Sequence, residues 1–398
     1  MKLVSKEILF ESPDEVSLIY GNSFYICSEG LKKIQVRSVE TKDDLLDSME
    51  VCISDNNGLT WNSPQLRKVM FKEDKGTRRL YEFPGFVDPD TGKLLTLTLE
   101  ANLPDDIASQ GLSRFILKYR VSSDGGKTVD YEGQMIQKGN FDSDHPFEQI
   151  WIGNNSIMLG DMGGRPIKTS SGKILIPAQM TLSGDNGSFY IPKRSRDYFA
   201  AVVLIAKWTE SRMLEFDISN PIILEPEKST RGSIEPTIIE LENGRILMVV
   251  RGSNDGNLAL PGYKWFCFSQ DGGYTWSQLK PWTYEDETKF FSPSSCSQLL
   301  KHSNGNVYWL GNITPINPNG NWPRYPFIIG QVNSQTGLLI HNSILKIDDC
   351  QSDEAEQMTL SNFMGHEDRQ THEIILHMSR WQARGNMSGD AYIYRIEV

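Results

Sequence analysis

One eight-residue pattern recurs along this 398-residue chain and restricts its fold more than any other feature. It reads Ser-x-Asp-x-Gly-x-Thr-Trp. It stands as SDNNGLTW from Ser54 to Trp61, with Asn56 in the Asp slot, and as SSDGGKTV from Ser122 to Val129, with Val129 in the Trp slot. The third copy, SQDGGYTW, runs from Ser269 to Trp276. The Asp of such a box accepts backbone N–H groups and locks a turn, and the Gly permits the sharp bend. The Trp then packs between neighbouring strands. Asp124 and Asp271 are therefore expected to hold hairpin turns and to do no chemistry. Ser54 and Ser122 are 68 residues apart and Ser122 and Ser269 are 147 apart. The larger gap is about twice the smaller, so one copy is expected to have decayed between them.

A second signal interleaves with the first. TGKLL at Thr91, SGKIL at Ser171, NGRIL at Asn243 and NGNVY at Asn304 each place a Gly turn before an apolar run. Gly supplies positive φ in a tight hairpin, and the run that follows is the next strand. A period of about 60–80 residues, with few helical stripes, points to four-stranded sheets repeated around an axis. The expected fold is all-β: one domain over residues 1–398, a six-bladed β-propeller of four-stranded antiparallel blades with the boxes at hairpins.

Composition narrows the function classes. There are 40 Lys plus Arg against 51 Asp plus Glu, a net charge of −11. An acidic chain without a basic run is a poor partner for nucleic acid or an anionic membrane. No apolar stretch reaches the length of a transmembrane helix. The start, MKLVSKEILFESPDE, meets acidic residues before an apolar core of a leader forms, so it is not an intact signal peptide. That favours a cytoplasmic chain over a secreted one with its leader trimmed. Cys27, Cys52, Cys267, Cys296 and Cys350 are odd in number, widely spaced and free of CxxC, so free thiols are expected rather than disulfides or a zinc site. No metal and no cofactor is expected.

The three boxes at this spacing, together with EPTIIELENGRILMVVR from Glu235 to Arg251, resemble the sialidase superfamily of six-bladed β-propellers. YEFPGFVDPDTGKLL and GDMGGRPIKTSSGKILIPA are also similar to blade-opening strands of that family, so the resemblance covers nearly the whole chain. It implies that Glu235 polarises a nucleophile and that Arg251 and Arg324 (in GNWPRYPFIIG, expected to lead into blade five) belong to three arginines gripping a substrate carboxylate. The planar fork of guanidinium suits that task. Trp322 and Tyr325 flank Arg324 and can stack on a sugar face. The family's acid, an Asp in the loop before the first box, corresponds here to Asp43, Asp44 or Asp47 in VETKDDLLDSMEV, with Asp43 and Asp44 the first choices.

Two family residues have no counterpart. No Arg precedes Arg37, where the family's first arginine would stand in DEVSLIYGNSF. No Tyr lies between Tyr325 and Tyr392, where the family's nucleophile would stand in QMTLSNFMGHED, at Leu360 or Ser361. His145, in FDSDHPFEQIW, and Arg165, in GDMGGRP, are further candidates to line the substrate site. His372 and His377 are five residues apart and would face opposite sides of one strand, which speaks against a metal. The leading expectation is a sialidase-like exo-glycoside hydrolase with a carbohydrate substrate, acting at the propeller channel on a sugar other than sialic acid, acidic sugars included. The alternatives are a glycan-binding propeller without catalysis and a polysaccharide lyase using His145 or another His as base.

Overall fold

The structure, a computed structural model, describes residues 1–398 apart from 185, 186, 194 and 212. Its strands fall into six successive antiparallel units. The first comprises Leu18–Tyr25, Lys33–Lys42, Leu45–Ser54 and Gln65–Arg67. In the second, Gly76–Glu82 and Phe86–Val87 both pair with Leu94–Leu103, which is followed by Phe115–Ser122 and Tyr131–Gln134, and Met70–Glu73 adds an outer strand. The third has Ile157–Met158 and Ile167–Lys168 at the two ends of Ile174–Thr181, then Phe199–Trp208 and Leu214–Ile218. The fourth is Ile234–Glu240, Ile246–Arg251, Lys264–Ser269 and Lys280–Pro281; the fifth is Gln298–Lys301, Val307–Asn312, Phe327–Val332 and Leu345–Asp348.

The sixth unit closes with the chain start. Thr359–Glu367, Ile374–Trp381 and Gly389–Glu397 are completed by Lys2–Phe10, which pairs with Gly389–Glu397 from Lys2↔Glu397 to Phe10↔Ala391. A single parallel bridge, Leu18↔Gly389, joins this unit to the first.

Each of the three boxes lies between the third and fourth strands of its unit. Asp271 accepts from the amides of Tyr274 and Thr275 (both 3.0 Å), and Ser269 Oγ accepts from the Gly273 amide at 2.9 Å. Asp124 and Ser122 repeat the pattern with Thr128 and Gly126, and Asn56 and Ser54 with Thr60 and Gly58. The Thr128 amide and hydroxyl hold the Asp124 pKa down to about 2. The third unit, where a decayed copy was expected, has a shorter turn there, closed by Thr209 N donating to Met213 O at 2.9 Å. The turn glycines behave as the sequence implies: Gly92, Gly172, Gly244 and Gly305 have φ of 69°, 82°, 75° and 88°.

The core lies between units rather than inside them. One apolar cluster joins Leu97 and Tyr119 of the second unit to Ile176 and Val202 of the third. Others join Leu175 and Val203 to Met248 and Cys267, Leu247 and Val249 to Trp309 and Ile328, and Leu310 and Phe327 to Leu376 and Tyr394. Sheets stacked face to face have both sides covered. That is why Ile174–Thr181 is buried throughout and reads as a nearly continuous apolar run. All five cysteines are free; Cys267 and Cys296 are buried, the other three half-buried. No helix is long and apolar enough to cross a membrane among the described residues.

Candidate active site

Glu235 stands on a β-bulge. Ile234 pairs with Arg251 and Thr237 with Val249, so Glu235 and Pro236 together break the register. Pro236 cannot donate to the ladder, and a bulge re-aims the side chain beside it. Glu235 has φ +47°, a conformation costly for a residue with a Cβ, so the surroundings must hold it. Gln179 of the third unit does so by accepting from the Glu235 amide at 2.7 Å. Gly160 does so by contact, since a Cβ there would come within 2.8 Å of the Glu235 Cα.

Arg251 donates from Nη1 to Glu235 Oε1 at 2.5 Å, from Nε to Ser294 Oγ at 2.8 Å and from Nη2 to Asn321 Oδ1 at 3.1 Å. Arg324 donates from Nε and Nη2 to the carbonyl of the same Ser294, at 3.2 and 2.9 Å. Ser294 thus couples the two guanidinium groups. Lys264, with no exposed surface, holds the loop beneath by donating to Ser295 O, and its Nζ lies 3.4 Å from Pro293 O. Desolvation, then the nearby Arg251 charge, lowers the Lys264 pKa to about 7. Burial alone would raise the pKa of Glu235. The Arg251 charge and hydrogen bond outweigh it, with Arg324 adding to them, and keep Glu235 below the usual range and ionised. Arg324 precedes the third strand of the fifth unit instead of opening that unit, because Gln298–Lys301 and Val307–Asn312 come before it.

Asp43 and Asp44 form the two-residue tip of the hairpin in which Lys42 pairs with Leu45. Asp44 has φ +59°, and its carbonyl accepts from the Tyr81 hydroxyl at 2.9 Å. Solvent reaches both residues, yet the protein around them desolvates their carboxyls. Desolvation, then Asp43 and Glu235, pushes Asp44 up to about 6, and desolvation raises Asp43 against the pull of Arg324. Asp47 is turned away: it accepts from Thr41 N at 2.8 Å and pairs with Arg79 at 3.2 Å.

A segment of the third unit, Gly160 to Arg165, reaches all five other units. Met162 Sδ accepts from Asn22 at 3.5 Å, Arg165 Nη2 donates to Gly85 O at 2.6 Å, and Gly164 packs on Pro236 O. Gly163 packs on Ser297 O, and Asp161 Oδ1 lies 3.5 Å from Asn362 Nδ2. Desolvation, then the Glu235 charge, raises Asp161 to about 6. Arg165 lies beside Met364 and has no carboxylate partner among the described residues; desolvation lowers it to about 10.

The remaining candidates separate. Trp322 is 37% exposed on the loop before Arg324. Tyr325 packs against the apolar cluster of the fifth and sixth units, and its hydroxyl donates to Glu356 O at 3.4 Å, so its ring is committed to the protein. His145 stacks on Trp151 with centroids 4.5 Å apart, between Phe141 and a core strip at Phe147. It makes no contact with Glu235, Arg251 or Arg324 among the described residues. His372 lies in a turn with φ +58°, and only His377 is on a strand.

Three neighbours carry no sequence signal of their own. Tyr20, on the strand lacking the expected arginine, is desolvated, and Glu40, Asp44 and Asp161 raise its pKa further. Arg231 is clamped by Asp197, which accepts from Nη2 at 2.8 Å. Cys296 Sγ sits 3.3 Å from Ser361 Oγ and accepts from the Asn362 amide at 3.2 Å.

Comparison with known proteins places these features. The BNR repeat-like domain model matches residues 40–354. No curated protein matches the sequence. Among solved structures, a protein of unknown function from Dyadobacter fermentans aligns with TM-score 0.59 at 13% identity, over 100% of this chain and 99% of that one. The K499G mutant of NanB sialidase from Streptococcus pneumoniae aligns with TM-score 0.62 at 12% identity, over 98% and 70%. A mutant of Trypanosoma rangeli sialidase displaying trans-sialidase activity aligns with TM-score 0.61 at 15% identity, over 98% and 58%. The chain thus spans 54–70% of the length of sialidases such as these, and the likeness is one of fold. With the family model spanning most of its length, the chain belongs to the BNR repeat-like domain family, and its fold is similar to that of sialidases.

Proposed function

We propose that the six units are blades of a six-bladed β-propeller and that the protein is a sialidase-like exo-glycoside hydrolase, its site at the central channel. The carrying observation is the Glu235–Arg251–Ser294–Arg324 chain of contacts beside the Asp43–Asp44 turn. Of two neighbouring carboxyl groups whose environments push their pKa values apart, the one with the raised pKa is the candidate acid. Glu235 is ionised beside Arg251, whereas Asp44 keeps its proton up to about pH 6 and can protonate a leaving glycosidic oxygen. Arg251 and Arg324 orient sugar oxygens, and Trp322 offers an open ring face. The substrate is a sugar other than sialic acid, because DEVSLIYGNSF holds no arginine where the resemblance would place the first one, and Leu360 or Ser361 stands where it would place the phenol.

The test is turnover of a panel of neutral, uronic and sialic acid glycosides by wild type and Glu235→Gln. Turnover of a non-sialic glycoside that Glu235→Gln abolishes is expected; a panel left wholly intact refutes hydrolysis. One observation favours glycan binding without catalysis. Leu360 and Ser361 are buried at 0% and 4% exposure and present no nucleophile. Saturable glycan binding with no turnover would establish that reading instead.

A further inference from the structure

Hydrolysis without a phenol needs another group to activate the attacking atom, and Glu235 is poorly placed to be that group. Its Oε1 is held by Arg251 at 2.5 Å, in an ion pair of two largely buried groups. A carboxylate so stabilised by a guanidinium is a weak base. Ser361 is turned onto Cys296, and Asn362, with φ +56°, offers only an amide.

Asp161 shares with Glu235 a buried oxygen without a hydrogen-bond partner among the described residues, but unlike Glu235 it has no guanidinium hydrogen-bonded to it among them. It rides on the Gly160–Arg165 segment, which is anchored in all the other units and is therefore rigidly placed. Its nearest side-chain donors are the Cys296 thiol and the Asn362 amide at 3.5 Å, at the limit of a hydrogen bond. Its Oδ2 is buried without a hydrogen-bond partner among the described residues. Buried carboxylate oxygens are normally satisfied by protein or by water, so an unpartnered one marks a place for an exchangeable donor. The titratable and charged groups facing it are Glu235, Cys296, Arg251 and Tyr20.

We propose that Asp161 is the catalytic base of the hydrolysis proposed above, drawing the proton from a water that attacks the anomeric carbon of a neutral sugar. The inference rests on the hydrolase reading. In one displacement the water oxygen bonds to the anomeric carbon while the glycosidic carbon–oxygen bond breaks. The leaving oxygen takes the proton of Asp44 and Asp161 takes that of the water, so the product sugar has inverted configuration. Solvent then restores both protonation states. A neutral sugar is specified because an anionic one would face Asp161 and Glu235 together. A base titrating at about pH 6 is well matched to neutral conditions.

The experiment compares wild type, Asp161→Asn and Asp161→Glu on p-nitrophenyl glycosides of neutral sugars, with pH profiles of kcat/KM, melting curves, and product configuration by NMR. Asp161→Asn should lower kcat by about a hundredfold or more with little change in KM, and remove the acidic limb near pH 6. It should melt no lower than wild type, since a like charge beside Glu235 is removed. Asp161→Glu should keep the acidic limb. An Asp161→Asn kcat within about fivefold of wild type, an unchanged acidic limb, or a product of retained configuration overturns the proposal. Those results leave hydrolysis standing, whereas a wild type that cleaves no glycoside defeats both readings.

Discussion

The contact between the first and last units makes a sharp energetic prediction about acid. Lys33, 4% exposed, donates to His366 Nε2 at 3.0 Å; the His366 and His377 rings stack 5.7 Å apart; His377 Nε2 lies 3.2 Å from Ser23 Oγ. Asp368 is 4.0 Å from Lys33, and Arg369, Arg395 and Arg165 add positive charge nearby. Desolvation, then Lys33, lowers His377 to about 3 and His366 well below its ordinary value. Above pH of about 6.5 both states carry neutral His377 and its protonation contributes nothing. As pH falls through about 6.5 the unfolded chain takes a proton that the native ring refuses, so stability is lost down to pH of about 3. Between pH 7 and 4.5 that loss is about 2.5 kcal/mol for His377 alone. At about 2.1 cal/mol/K per residue over 398 residues, this lowers the melting temperature by about 3 °C. Asp44 and Asp161 titrate in the opposite sense, because their raised native pKa values let the folded state take up protons first. The assay therefore reads a difference: melting of wild type and His377→Gln across pH 4.5 to 7. The variant should be less stable at pH 7 and should lose less on acidification, the gap closing by about 2.5 kcal/mol. Parallel curves for the two proteins would refute the argument.

Other expectations follow from the turns and the site. Asp271→Ala removes the acceptor for Tyr274 and Thr275 amides that water can partly reach, so a loss of about 1 kcal/mol in denaturant unfolding is expected, with glycan binding intact. Arg251→Lys keeps the charge but loses the fork that spans Glu235, Ser294 and Asn321; titration calorimetry should show glycan affinity reduced about tenfold or more. A fluorogenic sialoside at high enzyme concentration should be left essentially uncleaved, because Arg251 and Arg324 have no third arginine on the strand of Tyr20. Efficient release abolished by Glu235→Gln would show the opposite.

What could be read from sequence was what is local. The boxes and Gly turns are short hydrogen-bonded motifs, so their spacing exposed the repeat and the all-β class before any coordinates. Glu235 and Arg251 were legible together because one hairpin with an NGR turn joins them. The role of Ser294 was not, because its link to Arg251 and Arg324 spans 43 and 30 residues. Lys2–Phe10 belongs to the last unit, a pairing across the whole chain that no local pattern announces. Tyr325 follows Arg324 and so looks free to stack on a sugar, yet the fold packs it, partly buried, against the core of two units. The run GDMGGRP around Asp161 resembles the opening of a blade, but only the contacts of Gly160, Gly163 and Gly164 show it to be wedged among the other units.

The arginines themselves divide by partner, and the division carries the functional argument further than the family resemblance does. Arg231 is matched by Asp197, Arg380 by Asp348 and Glu354, and Arg79 by Asp106 and Asp47. These are buried pairs of the kind that structure alone sustains. Arg324 and Arg165 are held by backbone carbonyls instead, and desolvation lowers each of them to about 10. A guanidinium withdrawn from water without a carboxylate weakens the fold, and an apolar side chain of similar volume would pack at less cost. Arg324 shares Ser294 with Arg251, and its charge acts on Glu235, Asp43 and Asp44, so in the proposed reaction it is the arginine assigned to orient sugar oxygens. Arg165 anchors the segment that carries Asp161, joining Gly85 of the second unit and Met364 of the sixth. One unpaired arginine is thus assigned to the proposed substrate, and the other fixes the carboxyl group proposed to act on it.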